Sequence, residues 1–360
     1  MKRIAIISSF AWIKIANNYG ALLQYYALQQ YLYHKGNYAF WIKYVLPLNK
    51  YVTFKNVVKR ILKNPLIAYK SFVCHKTFMQ YCKDYLNLSD DIYTKESIND
   101  SYPLADYYIT GSDQVWGGML PANYLTFVND DDKKVAYAAS FGKSEISSEQ
   151  AQKVKPWVKA FKHISVREES GVGICESLGC KAEHLLDPTL LLDAVEYPHR
   201  DRIISNKYVF SYFLNVSTLD NIRWPEIQEY ARIANLDLKV CSVQGSQYQF
   251  NSQYLVFPNP VEWLTYYRDA ELIVTNTFHG TVFAIIHHRP FVCILQKGHS
   301  AKQNTRMTSL LSMFGLENRI LNDNDKIGNV ASMPIDWKYV EEKLSHWRNK
   351  TDKFFNFLND

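Results

Sequence analysis

Several signatures of common enzyme classes are missing from this 360-residue chain. It has no Gly-x-x-x-x-Gly-Lys-Ser/Thr sequence, which argues against a P-loop nucleotidase. No Gly-x-Gly-x-x-Gly follows the first apolar strand, and no Gly-x-Ser-x-Gly elbow is present, which argues against a dinucleotide dehydrogenase and an α/β hydrolase. The Asp-x-Asp metal motif of many sugar-nucleotide transferases has one candidate, residues 130–132, which we interpret as a solvated turn.

Cysteine and long apolar runs are also scarce. The six cysteines are scattered and contain no Cys-x-x-Cys pair, so they favour neither a disulfide framework nor a zinc site. No stretch approaches the about 20 apolar residues that a membrane-spanning helix needs. The apolar run after Met1 is too short for a signal peptide. We therefore expect a cytosolic protein with reduced thiols and no bound metal.

Acidic residues are absent from residues 43–83, which contain nine lysines and arginines. We predict a helix over about 53–86 in this basic segment. Such a local field attracts anionic partners, and a phospholipid surface or a lipid-linked diphosphate fits better than nucleic acid, because no nucleic-acid-binding motif is present. The alternative is that the apolar side chains of the segment pack on the first domain and its lysines are only solvated; they are Phe54, Val57, Val58, Ile61 and Leu62.

The chain does contain a regular alternation of short apolar strands and longer amphipathic segments, which is typical of parallel sheets with crossover helices. The alternation runs from Ile4 to about residue 187 and begins again after about residue 200. We therefore predict an α/β protein with two Rossmann-like domains, over 1–198 and 199–335. A last helix over about 336–360 is expected to pack back on the first domain. Ligands of such folds bind where strands lead into helices.

Two loops of the first half carry polar residues at strand ends. Residues 17–21 (Asn-Asn-Tyr-Gly-Ala) open a helix whose free N–H groups suit a phosphate or carboxylate, although an ordinary N-cap explains them equally well. Residues 110–118 (Thr-Gly-Ser-Asp-Gln-Val-Trp-Gly-Gly) place Asp113 and Trp116 close together. Asp113 could accept a proton and Trp116 could stack on a sugar, whereas the structural alternative is a helix cap with Trp116 in the core.

Two further loops carry a cation. Arg167 follows the strand 164–166, where it could clamp a carboxylate; the alternative is a structural ion pair with Glu168 or Glu169. His279 follows the strand 272–275, beside a glycine, and can donate or accept a proton near neutral pH. A histidine at such a junction is the strongest local indication of chemistry, but it indicates no particular reaction.

Taken in order, these loops resemble the polysaccharide pyruvyl transferase family over nearly the whole chain. The resemblance rests on Asn18-Tyr19-Gly20, Gly111-Ser112-Asp113-Gln114-Val115-Trp116, Ser165-Val166-Arg167-Glu168, Leu178-Gly179, Asp187-Pro188-Thr189, Phe278-His279-Gly280, Arg306, Leu310-Leu311 and Gly315-Leu316.

The resemblance implies a two-lobed, GT-B-type glycosyltransferase fold with the active site in the cleft between the lobes. It also implies phosphoenolpyruvate as the donor, a pyruvate ketal on a sugar as the product, and no obligatory metal or cofactor. It leaves open whether the sugar acceptor is attached to polyprenyl diphosphate at the inner face of the membrane. Many relatives have an arginine two residues before the histidine, where this chain has Thr277. We expect Arg306 or Lys302 to replace that donor contact.

The resulting hypothesis gives each residue a role. His279 donates the proton or orients the phosphate, and Asp113 acts as the general base. The donor is bound by a set around these two residues, namely Arg167, Arg306, Lys302, Asn18, Gly20, Thr277 and Gly280, and the acceptor by Trp116, Gln114 and Tyr19. Two alternatives stay open: a glycosyltransferase of the same fold that uses a nucleotide-sugar donor, and a non-catalytic subunit of polysaccharide assembly.

Overall fold

Two parallel β-sheets organise the chain in a computed structural model, which describes residues 1–8, 17–46, 58, 61–201 and 204–359. We call each sheet with its helices a lobe. The first sheet contains β1 Arg3–Ile7, β2 Tyr38–Tyr44, β3 Leu88–Tyr93, β4 Tyr107–Thr110, β5 Lys134–Ala139, β6 His163–Val166 and β7 Glu183–His184. The second contains β8 Tyr208–Phe213, β9 Asp237–Ser242, β10 Leu272–Thr275 and β11 Phe291–Cys293.

Helices connect the strands and cover the sheets. The first lobe has α1 Tyr19–His34, α2 Pro65–Tyr85, α3 Ser97–Asp100, α4 Ser148–Lys159 and α5 Glu169–Ser177. The second has α6 Trp224–Ile233, α7 Pro260–Asp269, α8 Phe278–Ile286, α9 Asn304–Phe314 and α10 Ile327–Ser332, and the chain continues into α11 Trp337–Phe354.

The strand order gives each sheet a point where the direction of winding reverses. The first sheet has the order β3-β2-β1-β4-β5-β6-β7, and the second has the order β11-β10-β8-β9. The reversal lies between β1 and β4 in the first sheet and between β8 and β10 in the second. Crevices for ligands form at the carboxyl ends of strands beside such points. The loops after β4 and β10 are therefore well placed for function.

Aromatic packing joins the two lobes. The Tyr19 ring at the start of α1 stacks on Trp263 of α7, with a centroid distance of 5.1 Å. The Tyr19 hydroxyl donates a hydrogen bond of 2.6 Å to the carbonyl of Pro258. At the other end of the chain, Arg348 of α11 donates to the carbonyls of Leu190 and Leu192, both at 2.8 Å. The last helix thus contacts the first lobe.

The predicted α/β class is confirmed, and most predicted elements are present. Three were not predicted: β3, whose Leu-Ser-Asp-Asp-Ile-Tyr sequence is too polar for a buried strand, and the short helices α3 and α10. The domain limits stay predictions. Of the basic segment, 47–57 and 59–60 lie outside the described residues, so the predicted helix start near 53 is not described. None of the described helices has both the length and the apolar character to cross a bilayer.

Candidate active site

A buried carboxylate, Asp187, forms the centre of the site. It follows β7 and the apolar pair Leu185-Leu186, at the carboxyl edge of the first sheet. Its Oδ2 accepts hydrogen bonds from Ser112 Oγ at 2.7 Å and from Arg167 Nη1 at 2.9 Å. Its Oδ1 accepts from the backbone N–H of Thr189 at 3.0 Å and from the Thr189 hydroxyl at 2.5 Å. These four bonds hold the carboxylate in one orientation.

Arg167 pairs with this carboxylate and with a second one. Its side chain is 1% exposed, and Nη2 lies 3.6 Å from Asp113 Oδ1. The guanidinium also lies over the Phe278 ring, 4.3 Å from its centroid. Burial alone would lower the pKa of Arg167, but the charges of Asp187 and Asp113 outweigh it and raise the pKa. Arg167 thus forms ion pairs, as the structural alternative proposed. Its partners are Asp187 and Asp113, from other loops, and not Glu168 or Glu169.

Asp113 is the more accessible of the two carboxylates, with a side chain 15% exposed. Its backbone has φ of 80°, a left-handed conformation that aspartate tolerates better than most residues. Burial would raise the pKa of Asp113, but the charges of Arg167, His279 and Arg306 lower it. Asp113 is therefore ionised at neutral pH, and the charges of Arg167 and Arg306 act on it.

His279 reaches the same cluster from the second lobe, in the first turn of α8. Its Nε2 lies 3.6 Å from Asp187 Oδ2. A Cβ atom added to Gly20 would overlap the His279 ring, so the absence of a side chain at Gly20 lets the first turns of α1 and α8 meet. Burial would raise the pKa of Asp187, but the charges of His279 and Arg167 lower it well below its usual range.

Three predicted donor residues have structural partners here. Asn18 caps α1, since its side chain accepts from the backbone N–H of Ala21 at 3.2 Å. Thr277 caps α8 in the same way, accepting from the N–H of Gly280 at 2.9 Å. A Cβ atom on Gly280 would overlap Thr275, so that glycine is required for packing. The side chain of Asn18 is thus an N-cap, as the structural alternative for residues 17–21 proposed. Contacts of Asn18, Thr277 and Gly280 with the donor stay predictions.

Basic side chains form one border of the site. Arg306 of α9 donates from Nη2 to Gln303 Oε1 at 2.9 Å. With its oxygen toward Arg306, the Gln114 amide accepts from Nη2 at 2.6 Å and from Nη1 at 2.9 Å. Burial and the charge of Arg167 lower the pKa of Arg306 to about 10. Burial and the charge of the exposed Lys302 likewise lower the pKa of Lys143. We call Arg306, Lys302 and Lys143 the basic rim.

Two predicted acceptor contacts need correction. Trp116 is 1% exposed; its ring stacks on Tyr124 with centroids 5.4 Å apart, and its indole N–H donates to the carbonyl of Asn123 at 3.2 Å. Tyr19 is fully buried between the lobes. Neither ring has a face available for a sugar, because both sit in the aromatic core. Gln114 lies in the site, where its amide contacts the basic rim.

The sequence interpretation gave no site role to two buried carboxylates: Asp187 was used only in the family resemblance, and Glu168 there and as an alternative ion-pair partner of Arg167. Glu168 accepts from Ser140 Oγ at 2.8 Å and from the backbone N–H of Phe141 at 3.1 Å, and burial raises its pKa. A usable signal was present for Asp187, since a carboxylate that ends an apolar run at a strand terminus cannot be left unpaired in the interior.

The sequence matches the model of the polysaccharide pyruvyl transferase family over residues 18–297. No curated protein matches it. Among solved structures, the S. aureus MnaA–UDP complex is similar over 98% of this chain and 97% of its own, with a TM-score of 0.53 and 10% identity. Methanocaldococcus jannaschii UDP-GlcNAc 2-epimerase, in complex with UDP-GlcNAc and UDP, covers 96% and 94%, with a TM-score of 0.50 and 13% identity. These likenesses confirm the predicted GT-B-type fold of two Rossmann-like lobes.

Proposed function

Since the chain belongs to the polysaccharide pyruvyl transferase family, we propose that it transfers the pyruvyl group of phosphoenolpyruvate to two hydroxyls of a sugar and releases phosphate. The acceptor is a sugar of a bacterial surface polysaccharide or of its lipid-linked precursor. The observation that supports this best is the placement of a histidine–carboxylate pair, His279 and Asp187, next to the basic rim. The histidine–carboxylate pair suits proton transfer, and the basic rim suits a donor that carries three negative charges.

The basic rim is the part of the site that matches the charge of the donor. The charge of Arg167 is already balanced by Asp187 and Asp113. In the described part of the chain, the hydrogen-bond partners of Arg306 are the uncharged amides of Gln303 and Gln114. The charges of Asp113, Glu168 and Asp187 also act on Arg306, but they raise its pKa less than burial and the charge of Arg167 lower it. A phosphate or carboxylate would therefore be favoured beside Arg306, and charge-assisted hydrogen bonds of this kind are the strong ones. Lys302 and Lys143 add to the same field.

The first chemical step adds one hydroxyl across the enol double bond. His279, in its protonated form, gives a proton to the methylene carbon, which becomes a methyl group, and the neighbouring carbon becomes cationic. The carboxylate of Asp187, whose Oδ2 lies 3.6 Å from His279 Nε2, orients the ring for this transfer. The first sugar hydroxyl then attacks the cationic carbon and gives its proton to Asp113. General acid–base catalysis of this type contributes about 10²–10⁴-fold to the rate.

The second step forms the ring. Phosphate leaves the same carbon with its bonding electron pair, and the cation that remains is attacked by the second hydroxyl. The proton of that hydroxyl leaves with the phosphate, and the proton on Asp113 restores His279. Asp113 is suited to a weakly basic role because its low pKa keeps it ionised, and a hydroxyl becomes acidic as it bonds to a cationic carbon.

The test measures donor use and the origin of the new methyl hydrogen. With phosphoenolpyruvate and a sugar acceptor, we expect release of inorganic phosphate and, in deuterated water, one deuterium in the methyl group of the ketal. Phosphoenolpyruvate at about 100 times its Kd should also stabilise the fold by about 2.7 kcal/mol, measurable as a raised Tm. Stabilisation by a nucleotide sugar alone, with nucleotide release, would contradict the proposal and support a glycosyltransferase.

A further inference from the structure

Helix α2 exposes a row of large apolar side chains on its solvent face. Leu66, Tyr69, Phe72 and Val73 recur at the three- and four-residue spacing that places side chains on one side of a helix. Tyr69 is 66% exposed and Phe72 is 48% exposed. Just before the helix, Leu62 is 78% exposed. A contiguous exposed apolar surface of this kind marks an interaction site more often than scattered single residues do.

The charges around this row have one sign. Lysines at 63, 70, 76 and 83 accompany the apolar side chains, and the first acidic residue of the helix is Asp84, at its end. The ammonium group of Lys76 lies 4.9 Å from the centroid of the exposed Phe72 ring. Lysine stems of this kind lie along apolar surface while their charge stays in water. We call this surface, formed by the solvent-facing side chains of residues 61–83, the α2 face.

The opposite side of α2 is anchored in both lobes. Its buried residues include Cys74 and Phe78, and Phe78 contacts the ring of Tyr19 with centroids 4.7 Å apart. The Cys74 thiol donates to the carbonyl of Pro258, in the second lobe, at 3.3 Å. The helix is therefore packed on its inner side against described residues of both lobes, and the α2 face is the opposite side of the same helix.

We propose that the α2 face docks on an anionic membrane surface, with its apolar side chains in the interfacial region and its lysines at the lipid headgroups. A helix that lies in the interface combines an apolar face with lysines and arginines and carries few acidic residues. Charge complementarity selects this occupant, because a second copy of the chain would place the same lysines against each other. The proposal is independent of pyruvyl transfer and requires no particular acceptor.

The test is sedimentation of the full chain with vesicles of phosphatidylcholine alone or with added phosphatidylglycerol. We expect binding to the anionic vesicles that weakens with salt, since surface charge attraction is screened beyond a Debye length of about 8 Å at physiological salt. Replacing Lys76 and Lys83 by glutamate should reduce the partition coefficient by at least about 25-fold, at about five-fold for each lysine near the surface. The double substitution Y69S/F72S should reduce it independently of salt.

Matched controls distinguish binding through the α2 face from effects of net charge or of exposed apolar side chains elsewhere. Lys153→Glu/Lys155→Glu makes the same charge change on exposed positions of α4, and Val195→Ser removes an exposed apolar side chain elsewhere; both variants should bind as the unmodified chain does. Phosphate release with a soluble sugar acceptor should be unchanged in every variant. Equal binding to both vesicle types, or a dimer that Y69S/F72S converts to a monomer, would overturn the proposal.

Discussion

The buried interior of the site and its basic rim hold arginines in opposite electrostatic situations. Arg167, in the interior, lies between two carboxylates that raise its pKa. Arg306, on the rim, is bound by amides in the described part of the chain, and burial together with the charge of Arg167 lowers its pKa. The two side chains are identical in chemistry, so the difference comes entirely from their neighbours.

This difference suggests that Arg167 contributes mainly to the stability of the fold and Arg306 mainly to the binding of an anionic ligand. A buried charge that already has its counter-ion contributes by keeping other groups in place, and removing its partner leaves an uncompensated charge. A charge held by neutral amides remains available for an anionic ligand. In the function that we propose, the interior therefore positions His279 and Asp113, and the rim binds phosphoenolpyruvate. Four measurements test that division.

The largest expected effect is on turnover, in the interior. His279→Gln should lower kcat for phosphate release by about 10²–10⁴-fold, because the proposed proton donor is lost. Far-ultraviolet circular dichroism should show an unchanged fold. The matched control is His288→Gln, since His288 lies just after α8, is exposed and pairs with Glu341. A near-normal kcat in His279→Gln would remove this residue from the mechanism.

The next effect is on folding. Asp187→Ala should lower the free energy of unfolding by about 3–5 kcal/mol, because it leaves the charge of Arg167 buried with a single, more distant partner. Urea denaturation measures this. Asp193→Ala is the control: its ion pair with Arg348 is on the surface and is worth about 0–1 kcal/mol. Equal losses in the two variants would show that Asp187 is not the counter-ion that holds the interior together.

The two arginines can then be compared directly with the same substitution. Arg306→Gln should raise KM for phosphoenolpyruvate by about 10–150-fold, the equivalent of about 1.5–3 kcal/mol for a lost charge-assisted hydrogen bond, with little change in unfolding free energy. Arg167→Gln should instead lower the unfolding free energy, because Asp187 and Asp113 become buried without their cation. If Arg306→Gln lowered the unfolding free energy and Arg167→Gln mainly raised KM, the assigned roles of the rim and the interior would be wrong.

The smallest effect is on the acid limb of the stability curve. Asp187 has a pKa below its unfolded value, so its contribution is fully present above the unfolded pKa of about 3.9 and is lost as the pH falls toward the folded pKa. The difference in unfolding free energy between the unmodified chain and Asp187→Asn should therefore shrink as the pH falls from about 5 to about 2. A constant difference would mean that Asp187 stabilises the fold through its shape and not through its charge.

The sequence predicted the location of the candidate site better than the side-chain contacts within it. Asp113, Arg167 and His279 each follow an apolar strand, and parallel strands bring their carboxyl ends to one edge, so their convergence follows from local pattern. The pairing of Arg167 with Asp187, 20 residues away, does not follow, because it depends on the register of β6 and β7.

Burial was the property least accessible from the sequence. Trp116 stands in a loop between glycines and polar residues, which resembles an exposed binding loop. It is buried because the chain turns back at 121–124 and places Tyr124 against its ring, a contact set by tertiary packing and not by local pattern. The α2 face shows the converse, since Tyr69 and Phe72 have core-like chemistry but face outward.

His279 and Asp187 belong to different lobes, so their contact depends on how the two lobes are held together. His279 lies in the first turn of a helix of the second lobe. Asp113, Arg167 and Asp187 lie in loops that follow strands of the first lobe. Any hinge motion that parts the lobes would draw the His279 ring away from all three of these side chains. The cluster is therefore complete only while the lobes are together, and a cross-link that held them apart would disassemble it without changing any of its residues.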